Sequence, residues 1–180
     1  MNLNDGLKGR RSIRKYKIDK VDTKLIEKVI DTARFAPTWK NSQTARYNIV
    51  TDETLKAKIA DEATCGFEKN KNIIKNAPVL VVLSTVDKIS GFNTDGSYTT
   101  TKGEHWQSFD AGISAEIFCL SAFDNGLGTL IMGIFDEDKV AELINLPNTE
   151  KVSALIALGY PDDEPMTPKR KEVSEIIRFI

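Results

Sequence analysis

One uninterrupted apolar run after Pro78, Val79-Leu80-Val81-Val82-Leu83, constrains the fold of this chain more than any other feature. The run is rich in β-branched side chains and contains no alternating polar positions. That pattern is typical of a β-strand whose two faces are both buried. The sequence therefore predicts a strand inside the molecule rather than at its surface.

The segments around this strand show helical or strand periodicity. Apolar residues recur at helical spacing from Leu25 to Ala33, behind a candidate N-cap at Asp22. Further helices are predicted after 52 and over 136–144, and further strands over 47–50, 129–132 and 152–158. The longest predicted helix follows residue 107, and its expected inward stripe is Phe109, Ile113, Ile117, Leu120, Phe123 and Leu127. The prediction is an α+β protein with about four core strands.

Composition narrows the class of protein. The 180 residues are 41% apolar, and 25 Lys and Arg against 26 Asp and Glu give a net charge of −1. We expect one domain over 1–180, and the charge argues against nucleic-acid binding. The start of the chain lacks a signal-peptide profile and no apolar run is long enough to span a membrane, so we expect a cytoplasmic protein. One histidine and two distant cysteines argue against a metal site.

Two clusters of basic residues lie near the ends of the chain. The first is Arg10-Arg11-Ser12-Ile13-Arg14-Lys15-Tyr16, and the second is Lys169-Arg170-Lys171 behind Pro168. Either cluster alone is best interpreted as ordinary surface charge. As a pair on a nearly neutral chain, they suggest a shared phosphate site, because the planar arginine fork binds phosphate oxygens in bidentate fashion.

A second candidate segment is Ala36-Pro37-Thr38-Trp39-Lys40-Asn41-Ser42-Gln43. Pro, Thr, Asn and Ser are common in turns, so an ordinary turn explains this composition. An indole surrounded by amide and hydroxyl groups also suits a planar heterocycle with hydrogen-bonding edges. The sequence leaves both interpretations open.

The polar segment 87–107 carries the aromatic residues Phe92, Tyr98, His105 and Trp106. A long polar loop inside a compact domain is usually mobile or functional. We expect these side chains to form a lid over a substrate pocket, with Trp106 as an anchor of the following helix as the alternative. His105 is either a general acid or a surface residue.

Known catalytic motifs are missing from the sequence. It contains no G-x-S-x-G, no P-loop and no G-x-G-x-x-G fingerprint. We therefore expect no catalytic residue, and if the chain is an enzyme a cofactor must carry the chemistry.

Taken together, these segments resemble the FMN-dependent nitroreductase family from end to end. Besides 10–16 and 36–43, the matching segments are Asn76-Ala77-Pro78-Val79, Asp110-Ala111-Gly112-Ile113, Gly126-Leu127-Gly128-Thr129, Met132-Gly133 and 168–171. The order and spacing of the segments make the resemblance specific. The resemblance implies a central, mostly antiparallel sheet flanked by helices, in an intertwined homodimer that shares its FMN sites.

The resemblance also implies which residues bind FMN, non-covalently. Arg10, Arg11 and Ser12 would hold the phosphate and ribityl chain, and Arg14 would tune the ring at its pyrimidine end. Lys169 and Lys171 would complete the phosphate site, with Arg170 facing either in or out. The remaining expected contacts are Met132, Gly133, one of Asn70, Lys71 and Asn72 (Asn70 being favoured), and Pro37, Thr38, Trp39 and Asn41 of the partner chain.

The activity implied by the resemblance is a ping-pong transfer of hydride from NAD(P)H to nitroaromatics, quinones or similar small acceptors. Ene reduction, dehalogenation, flavin breakdown and a non-catalytic flavin-binding or redox-sensing role are the alternatives. One departure concerns Ile134, which follows Gly133 where the family often has a second glycine. This side chain either narrows the space over the ring or turns into the core.

Overall fold

The computed structural model describes residues 2–180 and places the apolar run in the middle of a sheet. The strands are β1 (Ala45–Val50), β2 (Val79–Val86), β3 (Gly128–Met132) and β4 (Glu150–Gly159). Their order is β1-β2-β4-β3, and every neighbouring pair is antiparallel. The side chains of Val79–Leu83 are at most 1% exposed. The prediction of a strand buried on both faces is confirmed, and each such side chain contributes ~1.5–3 kcal/mol by its burial.

Seven α-helices flank the sheet within residues 2–180, which confirms the predicted α+β class, although the sequence predicted only four of these helices. Three of the four predicted helices begin behind aspartates, with Asp22, Asp52 and Asp136 each accepting a hydrogen bond from a backbone N–H of the first turn. None of the helices in this part of the chain has the length and hydropathy to span a bilayer. They are α1 (Leu3–Gly9), α2 (Thr23–Ala33), α3 (Glu53–Glu62), α4 (Glu68–Asn76), α5 (His105–Asp124), α6 (Glu137–Leu143) and α7 (Val173–Ile176).

Alternate residues of β2 face two separate cores. Val79, Val81 and Leu83 pack against α2 and α5, where Val29 and Phe118 are fully buried. Leu80 packs on the other face against α3, α4 and α6, in a cluster that includes Ile59. Because helices cover both faces of the sheet, β2 carries no polar alternation.

The predicted inward stripe of α5 is wrong apart from Leu127, which is buried just beyond the end of the helix. Phe109 is 50% exposed, and Ile113, Ile117, Leu120 and Phe123 are only partly buried. The face that packs on the sheet instead consists of Ala111, Ala115, Phe118, Cys119 and Ala122. The helix is apolar on both faces, so periodicity could not distinguish them, and the larger side chains lie on the side away from the sheet.

The N-terminal basic segment runs along the edge of β3. Ile13 donates its backbone N–H to the Thr129 carbonyl at 2.9 Å, and the neighbouring Ser12 forms a parallel bridge with the same residue. Gly128 allows this approach, because a Cβ there would lie 2.6 Å from Cγ1 of Ile13. The Tyr16 hydroxyl donates to the Ile13 carbonyl at 2.7 Å, and burial raises the pKa of Tyr16. The segment is therefore fixed to the sheet.

Candidate functional site

Three guanidinium groups lie within five residues of the segment fixed to β3. Arg10 donates from Nε to Oε1 of Glu116 on α5 at 3.1 Å, a bond that does not engage its two Nη groups. Arg11 donates to the carbonyls of Lys8 and Arg10 at 2.6 and 2.7 Å. Arg14 is exposed and donates to the Ser12 carbonyl at 3.1 Å. The sheet edge therefore displays clustered donors of a kind that binds oxyanions.

The terminal basic cluster begins beside this site. Nη2 of Arg11 donates to Oγ1 of Thr167, across a sequence separation of 156 residues. Lys169 follows two positions later, and residues 169–171 are all exposed. The structure thus places Thr167, next to Pro168 at the start of the second basic cluster, against the first cluster. Among residues 2–180, Lys169 and Lys171 have no hydrogen-bond or ion-pair partner, and Arg170 is as exposed as they are.

The segment 37–43 forms a strained turn. Lys40, Asn41 and Gln43 have φ angles of 47°, 55° and 50°, in the left-handed region that favours glycine. Each such residue costs on the order of 1 kcal/mol. Within the segment, the Gln43 N–H donates to Oγ1 of Thr38 at 2.9 Å, while Pro37 is exposed. Strain of this kind persists only where surrounding contacts enforce it.

Those surrounding contacts come from α5. The backbone N–H of Trp39 donates to Oδ2 of Asp110 at 2.9 Å, and Ser90 Oγ donates to the same oxygen at 2.6 Å. The Trp39 ring lies 4.8 Å from the Trp106 ring, centroid to centroid. Asp110 belongs to the segment 110–113 that resembles the family, but its role does not follow from the sequence. A lone acid in an otherwise apolar stretch of helix was the signal that could have identified it.

The four residues predicted to form a substrate pocket fall into separate groups. Phe92 pairs with Tyr98 at 5.0 Å, whereas Trp106 contacts Trp39 and, at 5.4 Å, Phe109. His105 is exposed and lines a different cavity, together with Ile131 and Lys151. The helix α5 already begins at His105, so His105 and Trp106 point in directions about 100° apart.

The segment 87–107 is ordered by its own contacts. The Trp106 indole N–H donates to Oγ1 of Thr100 at 2.9 Å, and the Lys102 ammonium lies 4.5 Å from the centre of the Trp106 ring. A cavity of about 750 Å³ lies between this segment and the 37–43 turn, lined by Trp39 and Phe92 among others. This cavity combines aromatic surface with cations, which suits a flat molecule.

The end of β3 offers an exposed stretch of backbone. Met132 is buried, but Gly133 is exposed, and a Cβ there would meet nothing within 4 Å. Asn70 is 7% exposed and donates from Nδ2 to the Ile134 carbonyl at 3.2 Å, so it lies next to this stretch. The Ile134 side chain is 49% exposed, so it does not turn into the core.

The two alternatives to Asn70 are engaged elsewhere. Lys71 forms an ion pair with Asp61 at 3.0 Å, and the hydrogen bond to Asp61 raises the pKa of Lys71. Asn72 is exposed, and its carbonyl accepts from Asn76 at 2.8 Å. Of the three candidates, only Asn70 contacts the backbone that follows Gly133.

Comparison with known proteins establishes the family. The model of the Nitroreductase family matches residues 7–160. A protein from Methanothermobacter thermautotrophicus, provisionally named NADH dehydrogenase/NAD(P)H nitroreductase, is 29% identical over 174 residues, which cover 93% of this chain and 81% of that protein. This α+β chain therefore belongs to the nitroreductase family.

Solved structures share the fold. A nitroreductase family protein from Clostridium novyi NT superposes with a TM-score of 0.79 at 29% identity, over 91% of this chain and 87% of that chain. Iodotyrosine deiodinase bound to FMN and 3-iodo-L-tyrosine superposes with a TM-score of 0.81 at 24% identity, over 99% of each chain. At that identity the second likeness concerns the fold alone.

Proposed function

We propose that this chain is an FMN-dependent NAD(P)H oxidoreductase that reduces nitroaromatics, quinones or similar small electron-poor acceptors. One observation carries the proposal: the Arg11–Thr167 hydrogen bond attaches the chain two residues before Lys169 to the first basic cluster beside β3. Relatives in the same family support a redox activity.

The donor set fits the phosphate of FMN. That phosphate carries nearly two negative charges, and each charge-assisted hydrogen bond to it contributes ~1.5–3 kcal/mol. Arg10 and Arg11 would bind it from the sheet edge, with Ser12 beside them and Lys169 and Lys171 reaching it from the tail. No residue pattern indicates a covalent flavin bond, so binding is non-covalent.

The remaining proposed contacts surround the flavin ring, which supplies the hydride chemistry when bound. Because Gly133 has no side chain and nothing lies near it, the flavin ring would lie directly against its backbone. Met132 would support that backbone from the buried side. Asn70 would hold the same backbone through the Ile134 carbonyl. Arg14 would tune the ring, because a nearby cation favours the electron-rich form of its pyrimidine end.

We further propose a homodimer in which the partner subunit contributes residues 37–41 to each site. Arg10 contacts α5 at Glu116, and Trp39 contacts it six residues earlier, at Asp110. Over six residues, the side-chain direction rotates about the helix axis by one full turn and a further angle of about 240°. The two contacts therefore lie on different sides of α5. The 37–43 turn of one chain is therefore better placed for a neighbouring site than for its own.

Exposed apolar surface supports the dimer. The outer side of α5 leaves Phe109 50% exposed, and Ile131 on β3 is 45% exposed. Along the tail Met166 and Phe179 are 92% and 87% exposed. Apolar exposure on this scale is typical of an interface. Sedimentation should give a dimer, and a monomer that binds FMN tightly would contradict the proposal.

The test of the activity uses the purified protein under anaerobic conditions. We expect a yellow protein whose flavin absorbance is lost on addition of NADH or NADPH and restored by menadione or a nitroaromatic. Donor and acceptor bind in turn at one open site, which is consistent with the missing dinucleotide fingerprint. A colourless protein that takes up no added FMN would overturn the proposal.

The same assay separates the alternative activities. Restoration by 3-iodotyrosine and not by the nitroaromatic would indicate dehalogenation, and an enone substrate tests ene reduction in the same way. Loss of the flavin itself when oxygen is then admitted to the reduced protein would indicate flavin breakdown. A bound flavin that neither nicotinamide reduces would indicate a binding or sensing role.

A further inference from the structure

Asp110 is a buried acid that neither the anion site nor the aromatic cavity uses directly. Its side chain is 2% exposed within α5, and its Oδ2 accepts hydrogen bonds from Trp39 and Ser90. Burial of a carboxylate is costly unless hydrogen bonds compensate for the lost water. An apolar side chain at this position would pack in α5 without that cost. The buried acid is therefore explained by the hydrogen bonds that it accepts and not by packing.

The first of its partners lies in the strained turn. The Trp39 N–H donates to Asp110 at 2.9 Å, immediately before the left-handed residues Lys40 and Asn41. A backbone amide bound to a carboxylate on a rigid helix is held in both direction and distance. Asp110 therefore fixes the start of the turn that carries Trp39 and Asn41.

The second partner lies in the segment that carries the aromatic residues. Ser90 is fully buried, donates to Asp110 at 2.6 Å, and lies 3.3 Å from the hydroxyl oxygen of Ser42. The rings of Trp39 and Trp106 also join the two segments, with their centroids 4.8 Å apart. One carboxylate oxygen thus joins 37–43 to 87–107, two segments that are far apart in sequence.

We propose that Asp110 is a positioning residue that sets these two segments relative to each other, and thereby couples FMN affinity to acceptor selectivity. The inference rests on the proposed function, in which 37–41 contacts the flavin and 87–107 contacts the acceptor. Asp110 touches neither molecule and acts through Trp39 and Ser90. A change at this carboxylate therefore alters both properties together.

The test compares Asp110→Ala and Asp110→Asn with the wild-type protein. Asn keeps an oxygen acceptor in the same place, whereas Ala removes it. Ser121→Ala is the matched control, because Ser121 is a buried polar residue on the same helix whose hydroxyl has no hydrogen-bond partner among residues 2–180. The measurements are amide hydrogen exchange at Trp39 without cofactor, the Kd for FMN, the ratio of kcat/KM for menadione and p-nitrobenzoate, and the Tm.

Asp110→Ala should speed exchange at Trp39 at least tenfold, weaken FMN binding about tenfold and change the acceptor ratio several-fold. Asp110→Asn and Ser121→Ala should stay within about threefold of the wild type in every measurement. A lower Tm for Asp110→Ala with unchanged exchange, Kd and acceptor ratio would show a merely structural role and overturn the proposal.

Ser90→Ala decides the question if Asp110→Ala does not fold. This substitution removes the hydrogen bond from Ser90 in segment 87–107 to Asp110 and keeps the hydrogen bond from the Trp39 N–H to Asp110. The acceptor ratio should therefore change several-fold, while the exchange rate at Trp39 stays near that of the wild type. An unchanged acceptor ratio would overturn the proposal. Failure of the wild-type protein to bind FMN would refute the proposed function separately, because the exchange measurement needs no cofactor.

Discussion

The two segments proposed to complete the FMN site, 37–43 and 162–180, are held in opposite ways. The turn is bound within its own chain, through Asp110, Thr38 and the ring of Trp106. The tail is attached at its start, where the Asp162 N–H donates to the Lys15 carbonyl at 3.0 Å and Arg11 binds Thr167, and its later apolar side chains are exposed.

This difference indicates how the site is built. A strained turn needs restraints from a rigid neighbour, and α5 supplies them before any ligand binds. A tail with exposed apolar side chains needs a further surface to cover them. We infer that one part of the site is formed in the folded chain and that the other part is completed on assembly.

Removal of residues 165–180 should have the largest effect. The deletion takes away the tail cations and the Thr167 contact, and two lost charge-assisted contacts of ~1.5–3 kcal/mol each weaken FMN binding roughly a hundredfold or more. Titration with FMN measures this loss. Hydrogen exchange at Trp39 should not change, because Asp110 holds the turn independently of the tail. A truncated protein with the FMN affinity of the wild type would show that the tail is not part of the FMN site.

Single cation substitutions should have intermediate effects. Arg10→Ala and Lys169→Ala should each weaken FMN binding by roughly 1–3 kcal/mol, which is tens-fold in Kd. Lys20→Ala, at an exposed lysine outside both clusters, is the control and should leave the Kd unchanged. Arg10 also forms an ion pair with Glu116, so Glu116→Gln tests whether loss of this ion pair alone weakens FMN binding. Equal losses of FMN affinity in Arg10→Ala and Glu116→Gln would assign Arg10 a structural role.

Substitution of Trp106 should change the acceptor reaction more than the cofactor. Trp106→Ala loses the ring contact with Trp39, worth ~0.5–1.5 kcal/mol beyond area burial, so we expect a several-fold change in the acceptor half-reaction and a Tm lower by a few degrees. Tyr98→Ala should change the Tm less, because Tyr98 is 56% exposed. A lower Tm for Trp106→Ala with unchanged acceptor kinetics would leave Trp106 as an anchor of α5 only.

The smallest expected effect concerns the two thiols. Burial raises the pKa of Cys119 to about 11, so at pH 8 roughly one thiol in a thousand is the reactive thiolate. A disulfide reagent should react quickly with the exposed Cys65 and with Cys119 only after unfolding. The two thiols should react at the same rates in the protein that lacks residues 165–180, because the sheet and α5 of the same chain bury Cys119. Fast reaction of both thiols in the truncated protein would show that the tail also stabilises the core.

Much of the fold could be predicted from the sequence because its determinants are local. The apolar run of β2 and the N-cap of α2 at Asp22 act within a few residues, and the structure confirms both. The inward face of α5 could not be predicted in this way, since both of its faces are apolar. Nor could the separation of His105 from Phe92, which depends on where α5 begins.

For the candidate site, local sequence is enough to identify the residue types: two basic clusters, a polar turn with an indole, and an aromatic segment. Which of these segments meet depends on how the folded chain packs. Arg11 meets Thr167 and Trp39 meets Asp110 across 156 and 71 positions, and such contacts depend on how the sheet and α5 stack. The physical reason is that side-chain chemistry is a local property, whereas the strain and burial that give Asp110 its role arise only when distant segments pack together.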